Sequence, residues 1–128
     1  MSSPAPLARK LGIKPGRPAV LFNAPEGAIE ALDPLPDGAS VTAAVAGEAA
    51  DVVAVFVRDA AEVEAWVAKA AAAVAPNGLL WVVYPKGRPA GTDINRDILR
   101  ERLEQRGLTS VAMVSYDDRW SALRFRTS

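Results

Sequence analysis

Seven residues stand where a side chain could meet a ligand. Lys86 follows the apolar run Leu79 to Tyr84 and a Pro, a position for an anchor on an anion or for an amine of lowered pKa. Thr92, Asp93 and Asn95 open a helical segment a few residues later, where they can meet a ligand, or where Thr92 or Asp93 can simply cap the helix. A helix N-terminus beside Lys86 would favour an anion. Asn23, Glu26 and Gly27 close another short apolar run, Ala19 to Phe22, through the turn Asn23-Ala24-Pro25-Glu26-Gly27. With no His and no Cys among 128 residues, the imidazole bases, thiol nucleophiles, zinc fingers and disulfide frameworks are excluded. No pair of carboxylates has the spacing of an acid/base couple. Asp117-Asp118 reads as a hairpin turn with no third metal ligand behind it. No catalytic residue, metal or cofactor is assigned; a small anionic ligand is the expected occupant.

Those residues need a scaffold, and the apolar pattern supplies one. Asp51 to Val57 is apolar and largely β-branched after its first residue, the signature of a strand covered on both faces. Ala19 to Phe22 and Leu79 to Tyr84 read the same way, and Ser40 to Val45 is a weaker, Ala-containing strand. Val63, Trp66, Val67, Ala70 and Val74 fall on one helical stripe, with Asp59 as cap, Glu62 completing a capping box and Pro76-Asn77-Gly78 as the stop. A second stripe joins Ile94, Ile98, Leu99 and Leu103, capped by Thr92 or Asp93 and ended by Gly107. Ala28 to Leu32 gives one or two helical turns. Val111 to Tyr116 and Trp120 to Arg126 flank Asp117-Asp118-Arg119 as a β-hairpin, with Trp120 a packing anchor.

This order predicts one α/β domain: a three-layer Rossmann-like arrangement with a mostly parallel sheet of about six strands that ends in an antiparallel hairpin. Residues 1–17 form an N-terminal arm, with a short helix over 7–11, and residues 18–128 the domain. In such sheets ligands bind beyond the carboxyl ends of the strands, where the strand order reverses. Asn23, Glu26, Arg58-Asp59, Lys86 and Thr92 to Asn95 converge there. A chain of 13.5 kDa can bury about two thirds of its unfolded surface, enough for a core without staples. Fifteen basic and fifteen acidic residues cancel, which argues against a nucleic-acid or membrane partner driven by charge. No apolar run reaches a membrane span or a signal segment, so a cytoplasmic location is expected. A protein partner or a homodimer remains open, with the edge strand at Ser40 to Val45 as the surface to test.

Two resemblances add to this. The segments Ala50-Asp51-Val52-Val53-Ala54-Val55-Phe56 and Val74-Ala75-Pro76-Asn77-Gly78-Leu79-Leu80-Trp81-Val82 resemble the fourth and fifth strands of class I S-adenosylmethionine-dependent methyltransferases. The terminal hairpin resembles that fold's last two strands. The chain departs from the pattern in two places. One glycine and a proline stand where the family has its Gly-rich loop, and Ser40 to Ala46 lacks the acidic residue expected after the second strand, Glu48 being the nearest.

Five phrases in order also resemble a small bacterial family, domain-of-unknown-function family 3052. They are Pro6 to Lys14, Asn23 to Gly27, Leu80 to Lys86, Thr92 to Asp97 and Trp120 to Phe125. Together the resemblances imply a non-catalytic or ligand-binding Rossmann-like domain without the Gly-rich cofactor loop. The alternatives are a minimal methyltransferase or methyltransferase-like subunit needing a partner, and a protein-interaction module.

Overall fold

The computed structural model describes residues 7–44, 49–87 and 92–127. Glu48, the end of the expected strand at Val45, the loop up to Gly91 and residues 1–6 lie outside the described residues. The strands are β1 (Pro18–Phe22), β2 (Ser40–Ala44), β3 (Ala50–Phe56), β4 (Val74–Pro85), β5 (Leu108–Ser115) and β6 (Trp120–Thr127). The helices are α1 (Leu7–Lys10), α2 (Ala60–Ala72) and α3 (Arg96–Glu104), with a 3-10 turn at Glu30–Leu32. The sheet order is β2-β1-β3-β4-β6-β5. The first four pair in parallel, and β6 runs antiparallel to both β4 and β5. The expected α/β architecture is the observed one.

Alternation along β3 builds two apolar layers. Val53, Val55 and, just beyond the strand, Val57 join Val63, Val67, Leu99 and Leu103 beneath α2 and α3. Val52, Ala54 and Phe56 join Ala8, Leu11, Leu32, Trp81 and Tyr116 on the other face. The expected N-terminal arm packs into this second layer. Ala8 and Leu11 are fully buried, Ile13 nearly so, and the Trp81 indole donates a buried 2.9 Å hydrogen bond to the Leu11 carbonyl. Burying an indole on this thinly covered face requires such a partner for its N–H.

Three boundaries also move. The α2 helix stops at Ala72, and Val74 opens β4 instead of closing the helical stripe. The turn at Pro76-Asn77-Gly78 therefore sits inside an irregular strand, with the register against β3 shifting between Ala50 and Val52. Asn77 takes the left-handed conformation there, φ 65°, while Gly78 is required for closeness. A Cβ on Gly78 would lie 2.8 Å from the Ala75 carbonyl oxygen and 2.9 Å from that of Asp51. Finally, α3 begins at Arg96, so Ile94 precedes the helix although it is fully buried.

Candidate ligand cleft at the strand switch point

β2 follows β1 on one side and β3 lies on the other, so the order reverses between β1 and β3. Asn23 spans this switch point. Its backbone is left-handed, φ 55°, and its side-chain amide donates a 2.8 Å hydrogen bond to the Phe56 carbonyl at the end of β3. Asn tolerates that conformation better than most residues. The interaction splices the ends of two parallel strands and occupies the amide, which makes Asn23 a support of the site and not part of its lining.

Beyond that splice lies a cleft of about 820 Å³, within the range of small-molecule sites. One wall is Pro25 to Ala28, and the other is the hairpin turn Tyr116 to Trp120. Phe56 forms part of the floor, and its ring meets those of Tyr116 and Trp120 edge-to-face at 5.1 and 5.3 Å. The Tyr116 hydroxyl donates a buried 2.6 Å hydrogen bond to the Ala28 carbonyl, joining the two walls. Burial pushes the Tyr116 phenol well above its ordinary pKa, and nearby Asp117 adds to this, so it remains protonated as a donor. The turn is closed by Asp117, whose carboxylate accepts from the Arg119 and Trp120 amides at 2.8 and 2.9 Å.

The lining carries both signs of charge: Arg58, Lys86 and Arg119 with Glu26, Asp59, Asp117 and Asp118. Arg58 also pairs with Glu62 at 3.4 Å. The Lys86 ammonium donates a 2.6 Å hydrogen bond to the Ser115 hydroxyl, and its backbone N–H is held by the Arg119 carbonyl at 2.9 Å, so the chain at the end of β4 is tied to the hairpin. Gly27, φ 86°, has no atom within 4 Å of where a Cβ would sit, leaving bare backbone open at the rim.

Glu26, Gly27, Lys86 and Thr92 of the seven expected residues line this cleft. The other three do not, and each has a structural task. Asn95, not Thr92 or Asp93, is the N-cap of α3, its side chain accepting from the Ile98 amide at 2.9 Å. Asp93 instead reaches α2 and accepts from the Ala60 amide at 2.8 Å. Asp59 caps α2 as expected, accepting from the Glu62 amide at 2.9 Å. Glu62 does not return to the Asp59 amide; it accepts from the preceding Arg58 amide at 2.7 Å. Thr92 hydrogen-bonds the Arg58 carbonyl. The expected anion-favouring helix ends are thus met by the protein's own acceptors. Sequence reasoning left Phe56, Tyr116 and Arg119 out of the site. The first two read only as strand residues, and the hairpin's position beside the loop after β1 brings them to the cleft.

The fold has solved counterparts. The DhpI–SAH complex superposes with a TM-score of 0.62 at 14% identity, covering 96% of this chain and 82% of that one. Methanococcus jannaschii fibrillarin, a pre-rRNA processing protein, matches at 0.60 and 12% identity, covering 96% and 69%. The glycopeptide N-methyltransferase MtfA complexed with sinefungin matches at 0.59 and 10%, covering 94% and 83%. This is the methyltransferase-like Rossmann fold. No family model matches the sequence, and neither does any curated protein, so the likeness to family 3052 rests on the five phrases alone. No helix among the described residues is long and apolar enough to cross a membrane.

Proposed function

We propose that this chain is a methyltransferase-like domain that binds a ligand of the S-adenosylmethionine type in the cleft between the loop after β1 and the hairpin turn. One observation carries this reading. The cleft lies at the strand switch point of a sheet similar along nearly its whole length to structures holding SAH and sinefungin. The lining chemistry fits. Such a ligand brings a zwitterionic amino-acid group, a sulfonium and a flat purine, and the cleft offers both signs of charge beside the ring of Trp120. In this reading the expected small anion becomes a zwitterion. Arg58 and Lys86 would meet its carboxylate, Glu26 and Asp59 its cationic groups, and the Gly27 backbone would allow close approach.

When bound, such a ligand supplies a methyl group for in-line transfer to a nucleophile. The chain's own part is to hold and orient it, and proximity alone can supply several kcal/mol toward such a displacement.

A non-catalytic ligand-binding domain is the second reading, favoured by Pro25 and by the single glycine of the loop after β1. Titration calorimetry and thermal shift with S-adenosylmethionine, S-adenosylhomocysteine and sinefungin test the proposal. At ligand near 100 times Kd, binding stabilises the fold by about 2.7 kcal/mol, visible as a raised Tm. Trp120→Ala should abolish the shift while Asn95→Gln, outside the cleft, retains it. No heat and no shift with any of the three ligands at millimolar concentration overturns the reading. Binding with no methyl transfer to any acceptor supports the non-catalytic form.

A further inference from the structure

Strand β6 carries Arg124-Phe125-Arg126, and alternation sends successive side chains to opposite faces of the sheet. Phe125 enters the core beneath α2 and α3. Arg124 and Arg126 therefore share the other face, about 7 Å apart at their Cα atoms. An acid on a neighbouring strand would relieve this juxtaposition of like charges, and none is supplied. Arg124 stands opposite Trp81 on β4 and Ala112 on β5, and Arg126 opposite Thr109. Arg17, Arg58, Arg96, Arg100, Arg102 and Arg106 each reach a carboxylate, whereas among the described residues Arg124 and Arg126 reach none.

Both arginines border a hollow of about 660 Å³ at the end of the sheet where β4 begins. Along β4, Leu79 in this hollow and Pro85 in the cleft are roughly 20 Å apart at the rise of a strand, so the two sites are distinct. Beside the charge stands an apolar wall, Leu79 and Val111. Val111 is 40% exposed, and the register shift between Ser110 and Ala112 takes it out of the ladder. Bulges re-aim side chains in this way beside functional sites. Arg124 is also pre-set, its guanidinium 5.9 Å from the Trp81 ring centroid, a contact that restrains the side chain without satisfying its N–H donors.

We propose that this hollow is a second ligand site, which holds the phosphate monoester of a small organic molecule between Arg124 and Arg126 and its apolar body against Leu79 and Val111. Charge selects the head group. A phosphomonoester carries close to two negative charges at pH 7 and three acceptor oxygens, which match two guanidiniums whose forks bind phosphate bidentately. A carboxylate neutralises only one of them. Asn77, left-handed at the rim, adds a side-chain amide. The apolar wall gives an organic phosphate the advantage over the free ion. The inference does not rest on any ligand in the cleft.

Calorimetric titration of the full chain with phenyl phosphate, benzoate and inorganic phosphate tests this, with amide shifts in NMR spectra locating the ligand. Phenyl phosphate should bind with a Kd of about 1 mM or tighter, and about fivefold or more tighter than benzoate or inorganic phosphate. It should move the amides of Gly78, Val111 and Arg126 and leave those of Gly27 and Lys86 in place. Arg126→Gln, a change at an exposed position, should weaken binding by about tenfold or more with unchanged circular dichroism and Tm. Arg124→Gln should weaken it as well, but it also removes the contact with Trp81, so Arg126→Gln is the deciding variant. No binding at millimolar phenyl phosphate overturns the proposal. So does benzoate or inorganic phosphate binding equally well, a set of shifts confined to the cleft, or a Kd indifferent to Arg126→Gln.

Discussion

The Tyr116 hydroxyl and the Ala28 carbonyl, 88 residues apart in the chain, are joined by a 2.6 Å hydrogen bond that sets the separation of the two walls of the cleft. Tyr116 is 4% exposed and Ala28 5%, so water cannot readily replace either partner. Removing the hydroxyl leaves a buried carbonyl oxygen short of its donor, the costly side of hydrogen-bond deletion. Tyr116→Phe should therefore destabilise the protein by about 1–3 kcal/mol in urea unfolding, with little change in m. A loss below about 0.5 kcal/mol, the range of ordinary surface substitutions, would mean that this bond does not tie the walls together.

The same residue predicts alkaline behaviour. Burial raises the pKa of Tyr116 strongly and that of Tyr84 as well, and these are the protein's two tyrosines. An unfolded tyrosine ionises near pH 10 while the folded ones keep their protons, so the unfolded state is favoured as pH rises. The stabilisation is complete below pH 10 and is lost above it, at up to about 1.4 kcal/mol per pH unit per tyrosine. Phenolate absorbance should stay low past pH 10 and then rise together with unfolding. A phenolate signal near pH 10 with the fold intact would contradict this.

At the opposite pH extreme, Arg17 and Asp51 form a bidentate pair joining the start of β1 to the start of β3. The hydrogen bond from Arg17 lowers the Asp51 pKa, so its contribution is present above about pH 4 and is lost as pH falls through the lowered value. The pair is exposed, and the effect should be small and salt-sensitive. Asp51→Asn should flatten the acid limb of the stability curve below pH 4 at low salt and change nothing at pH 7 beyond a small offset.

Gly78 tests the passage from α2 to β4. A methyl group there meets two backbone oxygens closer than 3 Å, and neither can move without shifting its strand. Gly78→Ala should cost about 1–3 kcal/mol of stability by urea unfolding. Gly27→Ala, with open space around it, meets only its left-handed backbone and should cost about 1 kcal/mol.

Local sequence determined most of the elements. The run Val52 to Val57 is apolar at every position because both faces of β3 are covered, so it identified a central strand without any partner in view. Asp59 was legible as a cap because its bond partner lies three residues away, and Asp117-Asp118-Arg119 as a hairpin turn because its contacts close within a few residues. Caps chosen among neighbours were less legible. Thr92, Asp93 and Asn95 are all good cap residues, and only packing against α2 decided that Asp93 serves Ala60 while Asn95 serves Ile98.

The cleft itself depended on distances in space. Ordering the strands β2-β1-β3-β4-β6-β5 puts the hairpin turn beside the loop after β1, and that neighbourhood lets the buried Phe56 and Tyr116, with Trp120, also line a site. Helical and strand periodicities fix which side of an element is apolar, since that depends on residues two to four positions apart. They carry no information on which distant element meets that side. The Leu11–Trp81, Asn23–Phe56 and Ala28–Tyr116 bonds, each linking positions more than thirty residues apart, are therefore properties of the folded molecule alone.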